Sequence, residues 1–308
     1  MSKTSVYPSL FQKNPRRRHK ISDPAIITRE TLPRLAKRQG HKFNHGHAFI
    51  MTGGPGRTGA ARLAARGALR IGAGLVTLGT PPAAQMEVAS HITAVMLHRV
   101  ADADALRARL TDTRINALCL GPGLGLSDDR APLIEAALQS GRPTVLDADA
   151  LTLIASAPAL FALLHAGCVL TPHDGEFARL FPDIAERRAA EPDTEETLSK
   201  CNAARAAARR SGAIVLLKGQ ETVIAAPDGR CALHRATDDR AAPWLATAGA
   251  GDVLAGFIAG LMARGFDPMQ AAQAATWLHV ECARAFGPGL IAEDLPEMLP
   301  AVLRGLDA

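Results

Sequence analysis

Aromatic side chains are scarce. They make up 4% of the 308 residues, with one tyrosine and two tryptophans. Nucleic-acid enzymes that hold bases by stacking need more platforms than that. Net positive charge is almost absent outside one segment. Residues 1–22 hold Lys3, Lys13, Arg16, Arg17, Arg18 and Lys20 and no acid, so of the formal +5 the remaining chain carries about −1. A basic tail on a near-neutral body does not argue for a nucleic-acid enzyme. No uninterrupted run of about 18 apolar residues occurs, so no transmembrane helix is predicted. Arg16–Arg18 is not followed by an apolar stretch, which argues against a secretory signal. The five cysteines (Cys119, Cys168, Cys201, Cys231, Cys282) form no C-x-x-C pair and are odd in number. They read as reduced thiols, which suits the cytoplasm.

Several catalytic loops are missing too. No Gly-x-Ser-x-Gly is present, so a serine-hydrolase elbow is unsupported. Gly59 is followed by Ala60-Ala61 where a P-loop needs Lys and Ser or Thr. Gly54-x-Gly56-x-x-Gly59 matches the dinucleotide fingerprint letter for letter. The second strand of that unit, however, ends in Gly79-Thr80-Pro81, where the fingerprint needs an acid for the ribose.

What is present is a 47% hydrophobic chain, enough for a sizeable core. Short buried strands alternate with helices, the pattern of a parallel α/β sheet. A short helical stretch is expected from Asp23-Pro24 to about Arg38. Strands are expected at Ala48–Met51, Leu75–Leu78, Ile115–Leu120, Thr144–Leu146, Cys168–Leu170 and Ile214–Leu217, with a hairpin over Thr222–His234. Helices are expected to about Ile71, over Glu195–Ser211 and Asp267–Phe286, and from about Ala292 to Leu306. No linker or repeat divides residues 23–308, so they form one domain behind a flexible basic tail, 1–22.

The strands end in chemically equipped clusters: Gly121–Gly125, Asp147-Ala148-Asp149, His173–Glu176 and Lys218-Gly219. Open α/β sheets bind ligands outside the carboxyl ends of their strands, so these clusters and Asp252 could line one crevice. Ala246–Gly260 is a small-residue turn feeding an apolar helix. Its N-terminus leaves backbone N–H groups open to an anion. Asp252, in the first turn, either takes a proton from a hydroxyl beside that anion or merely complements the helix dipole. Gly256 and Gly260 leave a groove for a close-packed neighbour. Lys218 either holds a phosphate or is a solvated strand-exit lysine. His173 and Glu176 suit helix capping better than metal binding. Asp147 and Asp149 either reach Mg²⁺ through water or cap a helix. His279 reads as a satisfied core histidine.

In order along residues 30–306, His41-Lys42, Gly46-His47, Gly53-Gly54, Gly59-Ala60-Ala61, Gly72-Ala73-Gly74, Gly121-Pro122-Gly123-Leu124-Gly125, Leu146-Asp147-Ala148, Leu170-Thr171-Pro172-His173, Gly175-Glu176-Phe177, Leu217-Lys218-Gly219, Thr222 and Ala246–Gly256 resemble the ribokinase-like superfamily, most closely its NAD(P)H-hydrate dehydratase branch. The resemblance implies a three-layer α/β/α sandwich with a central, mostly parallel sheet. It implies an ADP-dependent lyase that repairs hydrated NADH and NADPH, yielding AMP and phosphate, with Mg²⁺ bound alongside the nucleotide. By the same resemblance Asp252 is the base, and Gly249, Ala250 and Gly251 form the anion hole. Lys218, Gly219, Gln220, Glu221, Thr222 and Gly251 contact the nucleotide. Ala60, Gly123, His173 and Asp252 contact the hydrated dinucleotide. The Gly249-Ala250-Gly251-Asp252 form is shared with small-alcohol kinases of the superfamily, which leave a stable phosphate ester. A non-catalytic nucleotide binder is a third class, and it would need no Asp252. Residues 1–40 are too short for the fused epimerase domain that often precedes this one, so the stand-alone form is expected. The apolar, alanine-rich helices offer faces for a homo-oligomer, a tetramer being one arrangement.

Overall fold

A computed structural model describes residues 23–190 and 196–306; the expected tail, 1–22, lies outside the described residues. Ten strands form one sheet: β1 (Ala25–Ile26), β2 (His47–Met51), β3 (Leu75–Thr80), β4 (Met96–Arg99), β5 (Ala117–Leu120), β6 (Thr144–Leu146), β7 (Cys168–Leu170), β8 (Ile214–Leu217), β9 (Glu221–Ala225) and β10 (Cys231–Arg235). Their spatial order is β1-β10-β9-β8-β7-β6-β5-β2-β3-β4. Only β9 runs against its neighbours, pairing antiparallel with both β8 and β10. The other pairings are parallel.

Helices cover both faces, which is why the parallel strands are short apolar runs buried on two sides. Along β2, Ala48 and Ile50 join one core, while Phe49 and Met51 join the other. The first core lies under the helices Gly59–Arg70, Ala250–Ala263 and Pro268–Phe286. The second lies under helices that include Ala131–Gln139 and Glu196–Ser211. This is the three-layer α/β/α arrangement expected from the sequence. The helix Ala250–Ala263 is buried almost all round, as an apolar helix without a polar face must be. It crosses the helix Gly59–Arg70 at glycines: a Cβ on Gly256 would lie 2.1 Å from the Ala64 carbonyl oxygen. One on Gly260 would lie 2.3 Å from Ile71 Cγ2. The expected groove is therefore filled by that helix.

One expectation needs correction. The stretch from Asp23 to Arg38 is not a helix. Ala25–Ile26 pairs with Ala232–Leu233 at the sheet edge, and only a 3₁₀ turn, Arg29–Thr31, follows before Pro33. Prolines at 24 and 33 leave too short a span for a helix, and the exposed edge of β10 offers hydrogen bonds instead. On the alanine-rich helices, Ala203, Ala204, Ala207, Ala208, Ala255 and Ala259 are buried in the chain's own core. Among the described residues no helix is long and apolar enough to cross a membrane.

Candidate active site

Strand order reverses between β2 and β5, because the chain goes from β2 to β3 and β4 on one side and resumes with β5 on the other. The loops leaving such neighbours diverge and open a crevice at their carboxyl ends. Glycines set how closely these loops approach. A Cβ on Gly53 would fall 1.9 Å from the Gly123 carbonyl oxygen, and one on Gly121 would fall 1.7 Å from that of Asp147. Gly123 has φ +63°, and Ala60 packs beside it, 3.4 Å from where a Cβ would sit. The Gly56 N–H donates to Glu87 Oε2 (2.7 Å), and the Thr58 hydroxyl donates to the other oxygen of the same carboxylate. An internal acid therefore occupies part of the loop that matches the dinucleotide fingerprint.

The helix Ala250–Ala263 points its N-terminus at this crevice. Its N-cap, Gly249, has φ +89°. A side chain there would be strained and would also meet Leu63 Cδ1 at 2.6 Å. Val253 N–H bonds to the Gly249 carbonyl (3.1 Å), and Ala250 N–H reaches the Thr247 carbonyl at 3.4 Å. Among the described residues the N–H groups of Gly249, Gly251 and Asp252 have no hydrogen-bond acceptor. Those orphan donors and the helix dipole make an anion site. His279 stabilises the turn from below, with Nε2 2.8 Å from the Ala250 carbonyl oxygen. Burial holds its imidazole down at about 4, so it is neutral at pH 7 and donates from Nε2. This is the core histidine expected from the sequence.

Lys218 leaves β8 and enters the same space, lying 3.7 Å from where a Cβ on Gly251 would be. Its Nζ donates to Asp147 Oδ1 (2.9 Å) and lies 3.7 Å from Glu176 Oε2. Burial pulls its pKa down, but Asp147, Glu176 and Asp252 outweigh burial and hold it above the ordinary lysine value. Asp147 is 2% exposed and also accepts from the Thr171 hydroxyl (2.8 Å). Among the described residues no donor bonds the Asp252 carboxylate. Burial, with Asp147 and Asp149 nearby, pushes Asp252 up to about 7 against the opposing pull of Lys218. A carboxylate poised near neutrality beside an anion site is equipped to take a proton from a hydroxyl.

The structure brings Asp252, Gly251, Lys218 and Asp147 together, and it sets Ala60 against Gly123. Of the two readings open for Asp147 and Asp149, capping of the helix Asp149–Ser156 is not what their side chains do. Asp147 faces Lys218, while Asp149 Oδ2 accepts from the Gly125 N–H (2.8 Å) and ties two loops together. The turn between them is strained at Ala148, φ +46°. His173 caps the helix Asp174–Leu180. Its Nδ1 accepts from Gly175 N–H (3.0 Å), and Glu176 Oε2 accepts from His173 N–H (2.9 Å). This reciprocal box is the capping role expected; the ring stays about half exposed (55%), with Nε2 3.4 Å from Glu176 Oε1.

The Lys218–Thr222 segment forms the turn into β9. Thr222 Oγ1 donates to the Gly219 carbonyl (2.9 Å), and the Gln220 carbonyl accepts from Ala236 N–H (2.8 Å). Glu221 is held by Arg235 (2.8 Å) and by the Thr197 hydroxyl, so its side chain braces the turn. Among the described residues no group of three His, Cys, Asp or Glu side chains could cage a metal. Asp147 and Asp149, the carboxylates near Asp252, are of the kind that hold Mg²⁺ through its own waters.

The NAD(P)H-hydrate dehydratase family model matches residues 48–300. The chain is 38% identical over 299 residues to a bifunctional NAD(P)H-hydrate repair enzyme of Moorella thermoacetica, covering 92% of this chain and 54% of that protein. It thus spans about half the length of curated relatives of this kind. It is 32% identical over 279 residues to the ADP-dependent (S)-NAD(P)H-hydrate dehydratase of Bacillus subtilis, covering 89% of this chain and 94% of that one. A crystal structure of a Bacillus subtilis ADP/ATP-dependent NAD(P)H-hydrate dehydratase, co-crystallised with ATP and Mg²⁺, superposes with TM-score 0.72 at 27% identity. It covers 92% of this chain and 99% of that one. A ribokinase-like superfamily protein of Enterococcus faecalis shares the fold at TM-score 0.74 and 20% identity, over 92% of this chain and 96% of that one. The chain belongs to the NAD(P)H-hydrate dehydratase family.

Proposed function

We propose that the protein uses ADP to dehydrate the S epimer of hydrated NADH and NADPH. The ring hydroxyl of the hydrate attacks the terminal phosphorus of ADP while Asp252 accepts its proton. A new O–P bond forms, the bond to the bridging oxygen breaks, and AMP leaves. Phosphate then departs with the C–O electrons. The adjacent ring carbon loses a proton, and the ring double bond returns. Phosphoryl transfer depends on positioning and on neutralising charge. The open N–H groups of Gly249 and Gly251 hold the transferring group, joined by that of Ala250 once it lets go of the Thr247 carbonyl it reaches at 3.4 Å, with Lys218 beside them. Mg²⁺ bound with the nucleotide supplies further charge neutralisation. Lys218, Gly219, Gln220, Glu221, Thr222 and Gly251 receive the nucleotide; Ala60, Gly123, His173 and Asp252 receive the dinucleotide.

The observation that carries this reading is Asp252: unpaired, raised to about 7, and set in the first turn of an anion-binding helix. Relatives named for this activity support it. The test incubates the protein with NADH hydrate, Mg²⁺ and ADP and follows absorbance near 340 nm. A rise that requires nucleotide supports the reading; a stable phosphate ester would instead mark a small-alcohol kinase. We also place the protein in the cytoplasm, where five unpaired thiols persist, and expect a homo-oligomer, a tetramer being one arrangement.

A further inference from the structure

Lys200 lies on the alanine-rich helix Glu196–Ser211 and is 5% exposed. Lysine is rarely buried so deeply without a partner carboxylate, because desolvating an ammonium is costly. Among the described residues none lies within ion-pair distance of Lys200. Its Nζ instead donates to two backbone carbonyls, Lys218 (3.1 Å) and Glu221 (2.6 Å). These carbonyls flank Gly219-Gln220, so the ammonium sits directly under the turn between β8 and β9. Gly219 makes room for it: a Cβ there would lie 2.5 Å from Nζ.

The consequences reach the active site through one residue. Lys218 is fixed at its N–H by the Pro172 carbonyl (2.9 Å) and at its own carbonyl by Lys200. With both ends of its backbone held, its side chain extends to Asp147 and toward Gly251. Burial pulls the Lys200 pKa below the ordinary lysine value and Arg188 adds to that pull, while Asp174, Glu221 and Glu196 oppose it only at longer range. A positive charge with no close counter-charge, beneath a turn that faces an anion site, is matched when a polyanion binds above it.

We propose that Lys200 is a positioning residue for the nucleotide: its ammonium shapes the Lys218–Glu221 turn and supplies positive charge that the phosphates of a bound nucleoside diphosphate balance. The proposal rests on the reading of this turn as the nucleotide site. Lys200 acts through the turn and does not touch the reacting atoms. Its loss should therefore weaken ADP without disabling the base.

The test measures ADP·Mg²⁺ binding by calorimetry and steady-state turnover for the parent protein, Lys200→Met, Lys200→Gln and Lys200→Arg. Met keeps the length and apolar stem but removes the charge. Gln keeps a donor and removes the charge. Arg keeps the charge and the donors. Losing a charge-assisted pair of hydrogen bonds predicts ADP binding at least about tenfold weaker in Lys200→Met and Lys200→Gln. Turnover at saturating ADP should stay within about threefold, the KM for the hydrated dinucleotide should not change, and Lys200→Arg should recover most of the affinity. Parent-like ADP binding in a folded Lys200→Met or Lys200→Gln overturns the proposal, as does loss of turnover with affinity intact. If Lys200→Met fails to fold, Lys200→Gln decides. A parent protein that does not bind ADP at all refutes the reading of the turn as the nucleotide site and with it this proposal, whereas binding that is indifferent to Lys200 refutes only the latter.

Discussion

Replacing Asp252 by Asn should damage catalysis and improve stability, and the two effects share one cause. Asp252 is pushed up to about 7 from an ordinary 3.8. That gap of about 3 units corresponds to at most roughly 4 kcal/mol of unfavourable free energy for charging the group in the folded state. Between pH 4 and 7 the folded chain holds a proton that the unfolded chain has released. Stability therefore falls as pH rises through that window and levels off above the folded pKa. Asn carries no charge to desolvate, so the variant escapes this fall. Its melting temperature should exceed the parent's by several degrees at pH 8 and by little at pH 4. Turnover should drop about 10²- to 10⁴-fold, the usual worth of a general base. Thermal unfolding at the two pH values and absorbance near 340 nm read both arms. A stability difference independent of pH, or a turnover loss under about tenfold, would refute the reasoning.

The same electrostatics predict paired shifts in the pH profile of kcat/KM, which should rise with pH and level off above about 7 in the parent. Lys218→Met removes the cation that pulls Asp252 down, so its midpoint should move to higher pH; Asp149→Asn removes a like charge, so its midpoint should move lower. Asp149→Asn should also raise the KM for the dinucleotide, because the Gly125 loop loses its carboxylate acceptor. Gly256→Ala drives a methyl onto the Ala64 carbonyl and should destabilise the fold by about 1–3 kcal/mol or more, read by urea denaturation.

Much of this molecule is legible in the sequence because burial on two faces writes short apolar runs. Strands β6, β7 and β8 have the expected limits, each bounded by Pro, Gly or a charged residue. Strand β4 carries no such mark. Its residues Met96–Arg99 are exposed or half-exposed at the sheet edge, so no hydrophobic period is imposed. β1 is two residues long and exists only because β10 offers it an edge. Of the candidate site, Asp252 and Lys218 could be found from strand ends and a glycine-rich helix start. Lys200 could not. Amid Asn202, Arg205, Arg209 and Arg210 it reads as one more solvated cation of an amphipathic helix, and only the fold puts it under a turn 18 residues away. The link between Asp149 and Gly125 is hidden for the same reason: a side chain that looks like a cap bonds a loop from another strand.

The most direct measurement of the central claim mixes the protein with NADH hydrate, Mg²⁺ and ADP and follows recovered NADH, AMP and free phosphate together. The account predicts that the three appear in equal amounts and that none appears without nucleotide. NADH recovery without phosphate release, or AMP formed with the phosphate retained on a stable ester, would contradict it.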